Sequence, residues 1–517
     1  MTGAEALVKA AGESGLTLCF ANTGTTEIPL VAALDSVGGI RTVPCVFEGV
    51  CTGAADGYGR MTGRPAMALL HLGPGLANGV ANLHNARRAR TPLVNVIGEH
   101  ASWHRPNDPP LAMDIERLAS TVSGRVRTSP AAESLAGDIS DAVAAALRGC
   151  VSTLIVPNDL QKTDVSYNGR GRVEAVFDPV SPETILQAAR LLSGAKRPAI
   201  VLGGRALRRP GLLAAARVRA AAGCDLICVT FPGFMERGGG LPAVERIPYL
   251  PELGLELLSP YDAFVLAGTN EPVTFFGYPG VPGKLIPPDR KKAPIWREGQ
   301  DEIACLEALA DELGAPAHAR PEGRADTAAP PRPGLPSGAL TPEKVCLVLA
   351  ALQPENAVIV DEGLTTAFTY YAVSASAPPH ALTAVTGGAI GLGMPCALGA
   401  ALACPERKVI NFQADGSALY TVQALWSQAR EGVDVTTLLC SNRTYRIVEM
   451  ELERTGVDTG RTAAKALTRL SPPQIDWVRL AAGFGVPGVR VESAEDLAAA
   501  IGRALAEPGP HLIEMPL

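Results

Sequence analysis

The sequence predicts an α/β protein made of three doubly wound parallel-sheet domains in tandem. Short apolar runs alternate with helix-length segments along most of the chain, the pattern of parallel strands covered on both faces. At about 150 residues per domain, 517 residues leave room for three such units. A stretch rich in Pro, Ala and Gly, almost without bulky apolar side chains, sets the last third apart, since it cannot build a core.

The first domain spans residues 1–162, with strand-like runs TLCF (17–20), TVPCVF (42–47), AMALLHL (66–72), PLVNVIG (92–98) and STLIVP (152–157). A polar stretch follows, and SPETILQAARLL then opens a helix with Ser181 as its candidate cap. The second domain, 181–314, carries PAIVLGG (198–204), DLICVTF (225–231) and AFVLAG (263–268). Residues 315–340 form the linker. The third domain, 341–517, begins with a helix capped by Thr341 ahead of Pro342 and has AVIVDEG, KVINFQA, VTTLLCSN and HLIEMPL as strands.

A formal charge of -6, with basic residues scattered rather than striped, leaves no footprint for nucleic acid or an anionic membrane. Gly, Pro or charge interrupts every apolar run before the ~18 residues a bilayer span needs. The N-terminus lacks a basic segment leading into an apolar one, so a cytoplasmic protein is expected. The 11 cysteines contain no C-x-x-C pair and sit in apolar surroundings, which suits buried thiols.

Chemistry concentrates first in KVINFQADGSALYTVQALWSQAREGVDVTTLLCSNRTY, which reads as strand, turn, helix, a stop at Gly432 and a second parallel strand. In a βαβ unit the carboxyl ends of both strands open on one edge, so Asp415 and Asn442, 27 positions apart, can converge on one ion. Carboxylate, amide oxygen and the main-chain carbonyl of Thr444 are the hard donors Mg²⁺ takes when phosphate oxygens complete its shell. Ser417 then begins a helix whose amino end favours an anionic diphosphate.

This stretch resembles the thiamine diphosphate (ThDP) binding fingerprint, Gly-Asp-Gly-Ser followed a helix and a strand later by Asn-Asn. The chain has Ala414-Asp415-Gly416-Ser417 and Ser441-Asn442, departing at Ala414 and Ser441 and keeping the two side chains expected on the metal. The resemblance implies ThDP and Mg²⁺ as cofactors. Asp415, Asn442 and Thr444 would sit on the metal, and Leu364, Thr365, Gly416, Ser417, Asn442 and Thr444 in the cofactor site.

Two further segments are similar to the same enzymes. CVFEGVCTGAADGYGRMTGRPAMALLHLGPG matches their pyrimidine-domain motif at Glu48, Gly53, Ala54, Asp56, Gly57, Tyr58, Arg60 and Gly73-Pro74-Gly75. The match implies that Glu48 activates the cofactor by sharing a proton with its pyrimidine ring; GVCTGAADG also permits Glu48 to cap the following helix. TGGAIGLGMPCALGAAL (386–402) resembles the segment lining the bend of bound ThDP. Ile390 takes the place of the bulky residue holding the two rings in a V, and Gly388, Ala389 and Gly391 bring main chain close to the cofactor.

Within this superfamily of 2-oxo acid enzymes, two subgroups compete: acetohydroxyacid (acetolactate) synthases and benzoylformate decarboxylase-like enzymes. Leu70-His71-Leu72-Gly73 matches the histidine segment of the second, implying that His71 relays protons and contacts substrate. Thr25, in the loop Asn22–Glu27, takes the place of a hydroxyl that meets the substrate carboxylate. The decarboxylase's second histidine has no counterpart in PVTFFGYPG (272–280), where Phe275 or Phe276 stands; Phe276 is the substrate contact expected there. Against a synthase, Glu451 occupies the place of an expected tryptophan, and the middle domain lacks flavin-contacting motifs, so FAD is not expected. Glu449 and Glu451 suit either a polar substrate end or a solvated helix face. His100, Trp103 and His104 lie in a loop that is either pocket wall or surface.

The resemblance implies a ThDP- and Mg²⁺-dependent decarboxylase of a 2-oxo acid. It implies a homodimer or homotetramer, with Glu48 and the diphosphate site meeting across the subunit interface. A carboligase of the acetolactate synthase type without FAD, and a catalytically silent ThDP-binding homologue, stay open as alternatives.

Overall fold

The computed structural model describes residues 1–317 and 331–517; the part of the predicted linker at 318–330 lies outside them. The chain forms two compact units. One comprises residues 1–175, 333–370 and 385–517, the other residues 176–332 and 371–384. No helix among the described residues is long and apolar enough to cross a membrane. All 11 cysteines are free thiols, nine of them buried.

In the first unit, a six-stranded parallel sheet runs in the order Arg41–Pro44, Leu18–Asn22, Met67–His71, Leu93–Glu99, Val151–Pro157, Arg125–Thr128. The strands Leu93–Glu99 and Val151–Pro157 are buried at every residue, which is why they read as unbroken apolar runs. The chain grows one way from Leu18–Asn22 and the other way from Met67–His71. The crevice at their carboxyl ends is therefore a topological switch point, where doubly wound sheets hold ligands.

A second parallel sheet of the same unit runs Gly488–Arg490, His511–Pro516, Val435–Ser441, Val409–Ala414, Val358–Glu362. Helices Glu48–Thr62 and Gly393–Ala403 pack backbone to backbone. A Cβ at Gly57 would lie 2.1 Å from the Cys396 carbonyl oxygen, and one at Gly399 would lie 1.9 Å from that of Ala54. The small-residue composition of both segments follows from this approach. The buried pair Asp56–Arg60 is bidentate, at 2.9 and 2.7 Å, and Arg60 also reaches the Thr386 hydroxyl at 3.3 Å.

The second unit holds a parallel sheet in the order Glu245–Arg246, Asp225–Cys228, Pro198–Leu202, Ala263–Ala267, Lys291–Pro294. Its strand His380–Ala384 pairs antiparallel with Met235–Arg237. The predicted caps are in place in both units: Ser181 Oγ accepts from the Thr184 N–H at 3.4 Å, and Thr341 Oγ1 from that of Lys344 at 3.2 Å.

Candidate functional site

Glu48 and His71 both border Gly75 in the first turn of helix Leu72–Ala89. A Cβ at Gly75 would lie 3.3 Å from Glu48 Oε1, a tight approach, and 3.5 Å from His71 Cβ, an ordinary contact. Glu48 is the first residue of helix Glu48–Thr62 and is buried. Its Oε2 accepts from Asn78 Nδ2 at 3.0 Å, and the helix has no side-chain cap.

His71 ends its strand and precedes Leu72, whose φ of 54° is left-handed. The imidazole Nδ1 lies 2.7 Å from Glu27 Oε2 and 3.2 Å from Thr26 Oγ1. Glu27 is fully buried; it also accepts from the Gly24 N–H at 2.8 Å and, through a short bond, from the Thr26 hydroxyl. Asn158 Nδ2 holds the loop by donating to the Thr26 carbonyl at 2.7 Å. Thr25, the expected hydroxyl of this loop, is exposed, and it is Thr26 that touches His71.

At the second sheet, the strands ending at Ala414 and Ser441 lie side by side, and the loops beyond them are joined. Asp415 Oδ2 accepts from the main-chain N–H of Arg443 at 2.7 Å, and Asn442 Oδ1 from that of Thr444 at 3.0 Å. Burial pushes the Asp415 carboxyl above its ordinary range, opposed by the N–H groups of Arg443 and Gly416. The helix starts at Asp415, two residues earlier than expected, and is broken into Asp415–Thr421 and Ala424–Glu431, with Gly432 at the stop. Ser417 turns its hydroxyl inward, donating to the Ala414 carbonyl at 3.0 Å and accepting from Gln413 Nε2 at 2.6 Å. Gly416 lies against Tyr445, whose ring a Cβ there would meet at 2.6 Å.

Both departures from the fingerprint have a local explanation. Ala414 has φ −84° and ψ 148°, an extended conformation that needs no glycine. Ser441 is buried at its strand end and hydrogen-bonds Glu514, a carboxyl that burial pushes up.

Ile390 is half-buried in a segment held from two sides. Glu362 Oε1 accepts from the N–H groups of Gly391 and Leu392 at 2.7 and 3.3 Å, and Oε2 accepts from Gly393 N–H at 2.7 Å and Gln413 Nε2 at 2.9 Å. From helix Leu72–Ala89, Asn85 Nδ2 donates to the Ala389 carbonyl at 2.7 Å and Asn82 Nδ2 to that of Gly391 at 3.3 Å. Gly388 is exposed with φ 72°. Leu364 and Thr365 form a half-buried turn after strand Val358–Glu362, with Leu364 at φ 49°. Left-handed non-glycine residues are costly, and Leu72, Leu364 and Arg443 (φ 59°) each adjoin or occupy a predicted site position.

Three expectations receive different surroundings. Glu449 is committed to Thr444, whose hydroxyl donates to its Oε1 at 2.8 Å. Trp103 is exposed, in a loop where the rings of His100 and His104 lie edge to face 5.9 Å apart. Phe276 belongs to the second unit, exposed and packed 4.9 Å from Phe275, which in turn meets Phe231 and Tyr249.

Sequence reasoning missed Glu27, Glu362, Gln413 and the asparagines 78, 82 and 85. Their spacing of four and three puts all three asparagines on one helix face, a signal that was available. Glu362 ends an apolar strand, and Glu27 is the acid of a strand-end loop.

The donor set suits the implied groups. Carboxylate, amide and carbonyl oxygens from two adjacent strand ends match Mg²⁺ with a diphosphate, and glycine-bearing main chain with a half-buried Ile390 offers an apolar cradle. Among the described residues, no cluster of three His, Cys, Asp or Glu competes for a metal.

Residues 1–118 match the family described as thiamine pyrophosphate enzyme, N-terminal TPP binding domain, and residues 361–515 its C-terminal TPP binding domain. The chain is 46% identical over 520 residues to the putative acetolactate synthase large subunit IlvX of Mycobacterium tuberculosis, covering 100% of this chain and 99% of that protein. It is 27% identical to benzoylformate decarboxylase of Pseudomonas aeruginosa, over 97% of this chain and 96% of that one. The solved structure of the ThDP-dependent 4-hydroxybenzoylformate decarboxylase of Rhodococcus jostii RHA1 superposes with a TM-score of 0.83 at 25% identity, over 99% and 98% of the two chains. The chain belongs to the thiamine pyrophosphate enzyme family, among its acetolactate synthase-like and benzoylformate decarboxylase-like members.

Proposed function

We propose that the protein is a ThDP- and Mg²⁺-dependent decarboxylase of 2-oxo acids. The observation that carries this reading is that Glu48 and His71 both border Gly75 beside the sheet switch point. The decarboxylases of Pseudomonas and Rhodococcus among its relatives support it.

Asp415, Asn442 and the Thr444 carbonyl would hold Mg²⁺ against the diphosphate, and Ile390 with the main chain of Gly388 and Ala389 would hold the rings bent. When bound, ThDP supplies a carbanion that adds to a keto carbon and accepts the electron pair as CO₂ leaves. Glu48 holds the proton shared with the pyrimidine ring. His71 moves a proton at the substrate oxygen or carbon, and its partly exposed ring leaves one nitrogen for that task. The loop bearing Thr25 and Thr26 orients the carboxylate. The resemblance supports a homodimer or homotetramer in which Glu48 serves the diphosphate site of the neighbouring subunit.

A second reading, carboligation of two carbonyl compounds, is favoured by the 46% identity to the mycobacterial acetolactate synthase-like protein. Product analysis separates the two. With ThDP, Mg²⁺ and a panel of aromatic and aliphatic 2-oxo acids, the decarboxylase releases one aldehyde per CO₂ even when an acceptor aldehyde is added. A carboligase diverts the product to a hydroxyketone, and absence of both products overturns both readings.

A further inference from the structure

The contacts around Glu27 bear on which nitrogen of His71 is free. Glu27 is fully buried, and every recorded partner of its carboxylate is a donor: the Gly24 N–H and the Thr26 hydroxyl, with His71 Nδ1 at 2.7 Å completing the set. A carboxylate can only accept, so in this pairing Nδ1 carries the hydrogen. Nε2 is then the nitrogen that binds or releases a proton.

The surroundings are shaped for this pair. A Cβ at Gly98 would lie 1.8 Å from Glu27 Oε1, and one at Gly24 would lie 2.5 Å from the His71 ring, so both neighbours must be glycine for the two side chains to meet. The register pairs His71 directly with Gly98, which places the carboxylate behind the strand end that carries the imidazole. Leu72 holds a left-handed φ of 54° immediately after His71, so the backbone is constrained where the ring is aimed.

We propose that Glu27 is a positioning residue that fixes His71 as its Nδ1–H tautomer and steadies the imidazolium formed when Nε2 takes up a proton. The inference rests on the proton-moving role proposed for His71. In the transfer, the Nε2–H bond breaks, the proton passes to the substrate-derived carbon or oxygen, and the electron pair stays on Nε2. Glu27 keeps the Nδ1 hydrogen bond throughout, as an orienting carboxylate behind a general base acts elsewhere.

The test uses Glu27→Gln, Glu27→Asp, His71→Ala and the double variant Glu27→Gln/His71→Ala, with intact ThDP affinity as the control for folding. Ring ¹⁵N shifts of labelled histidine, assigned by loss of the His71 signals in His71→Ala, read the tautomer without turnover. In the parent protein Nδ1 carries the hydrogen and Nε2 does not; in Glu27→Asp, whose carboxylate is withdrawn by one methylene, the two tautomers mix. Glu27→Gln lowers kcat by about 100-fold with KM within about threefold. In the His71→Ala background, the same change costs nothing further, because the two residues act as one unit. If His71→Ala turns over as fast as the parent, the role of His71 is wrong. If His71→Ala is impaired while Glu27→Gln keeps the parent kcat, or if Nε2 carries the hydrogen in the parent, the inference about Glu27 is wrong.

Discussion

The main-chain N–H of Arg443 donates to Asp415 Oδ2 at 2.7 Å, so the loop after one strand is tied to the carboxylate that begins the helix after its neighbour. The bond holds the loop bearing Asn442 and Thr444, which flank Arg443, beside Asp415. Asp415→Ala would remove the proposed metal donor and the anchor of the loop together. ThDP binding in the presence of Mg²⁺, followed by titration calorimetry, is expected to weaken on the order of 100-fold. Affinity equal to the parent's, or affinity unaffected by chelating Mg²⁺, would contradict the placement.

Glu48→Gln separates activation from binding. The amide keeps the size of the side chain and a partner for Asn78 but cannot share a proton with a ring nitrogen. kcat is expected to fall by about 100-fold or more while ThDP affinity stays within about tenfold. A variant that loses affinity and keeps kcat at saturating cofactor would assign Glu48 to helix capping alone.

Gly399→Ala tests the helix contact behind the site. Its Cβ would lie 1.9 Å from the Ala54 carbonyl, a backbone atom that cannot swing aside. The substitution is expected to lower stability by about 1–3 kcal/mol or more, as overpacking does, read by chemical denaturation. An unchanged unfolding midpoint would show that the two helices have more freedom than the packing implies.

Glu362 makes the stability of the cofactor-free protein depend on pH. Burial pushes its carboxyl above the ordinary value of 4.5, against the pull of Gln413 and three main-chain N–H groups. The folded chain therefore holds a proton that the unfolded chain has released. The contribution is fully present below pH 4.5 and is lost as pH rises through the raised folded value. Denaturation midpoints measured on either side of that window should show a decline with pH that Glu362→Gln lacks. An equal slope in both proteins would contradict the assignment.

The sequence made the buried strands legible because residues such as Leu93–Glu99 are apolar on both faces. It hid Arg125–Thr128 and Lys291–Pro294, edge strands whose charged side chains break any apolar run. At the site, Asp415, Asn442, Glu48 and His71 stood out through motifs of neighbouring residues. Glu27 and Glu362 did not, because their partners lie 44 and 29 to 51 positions away, and only the sheet order brings those positions together. Thr26 rather than Thr25 faces His71 because a short helical turn, Thr25–Glu27, rotates the loop by a step that spacing alone does not show.

The most direct test is CO₂ release from 2-oxo acids by the pure protein, with and without ThDP and Mg²⁺, beside Asp415→Ala and Glu48→Gln. Release is expected to require both cofactors and to be lost or strongly reduced in each variant. Release that persists without ThDP, or that either variant leaves undiminished, would contradict it.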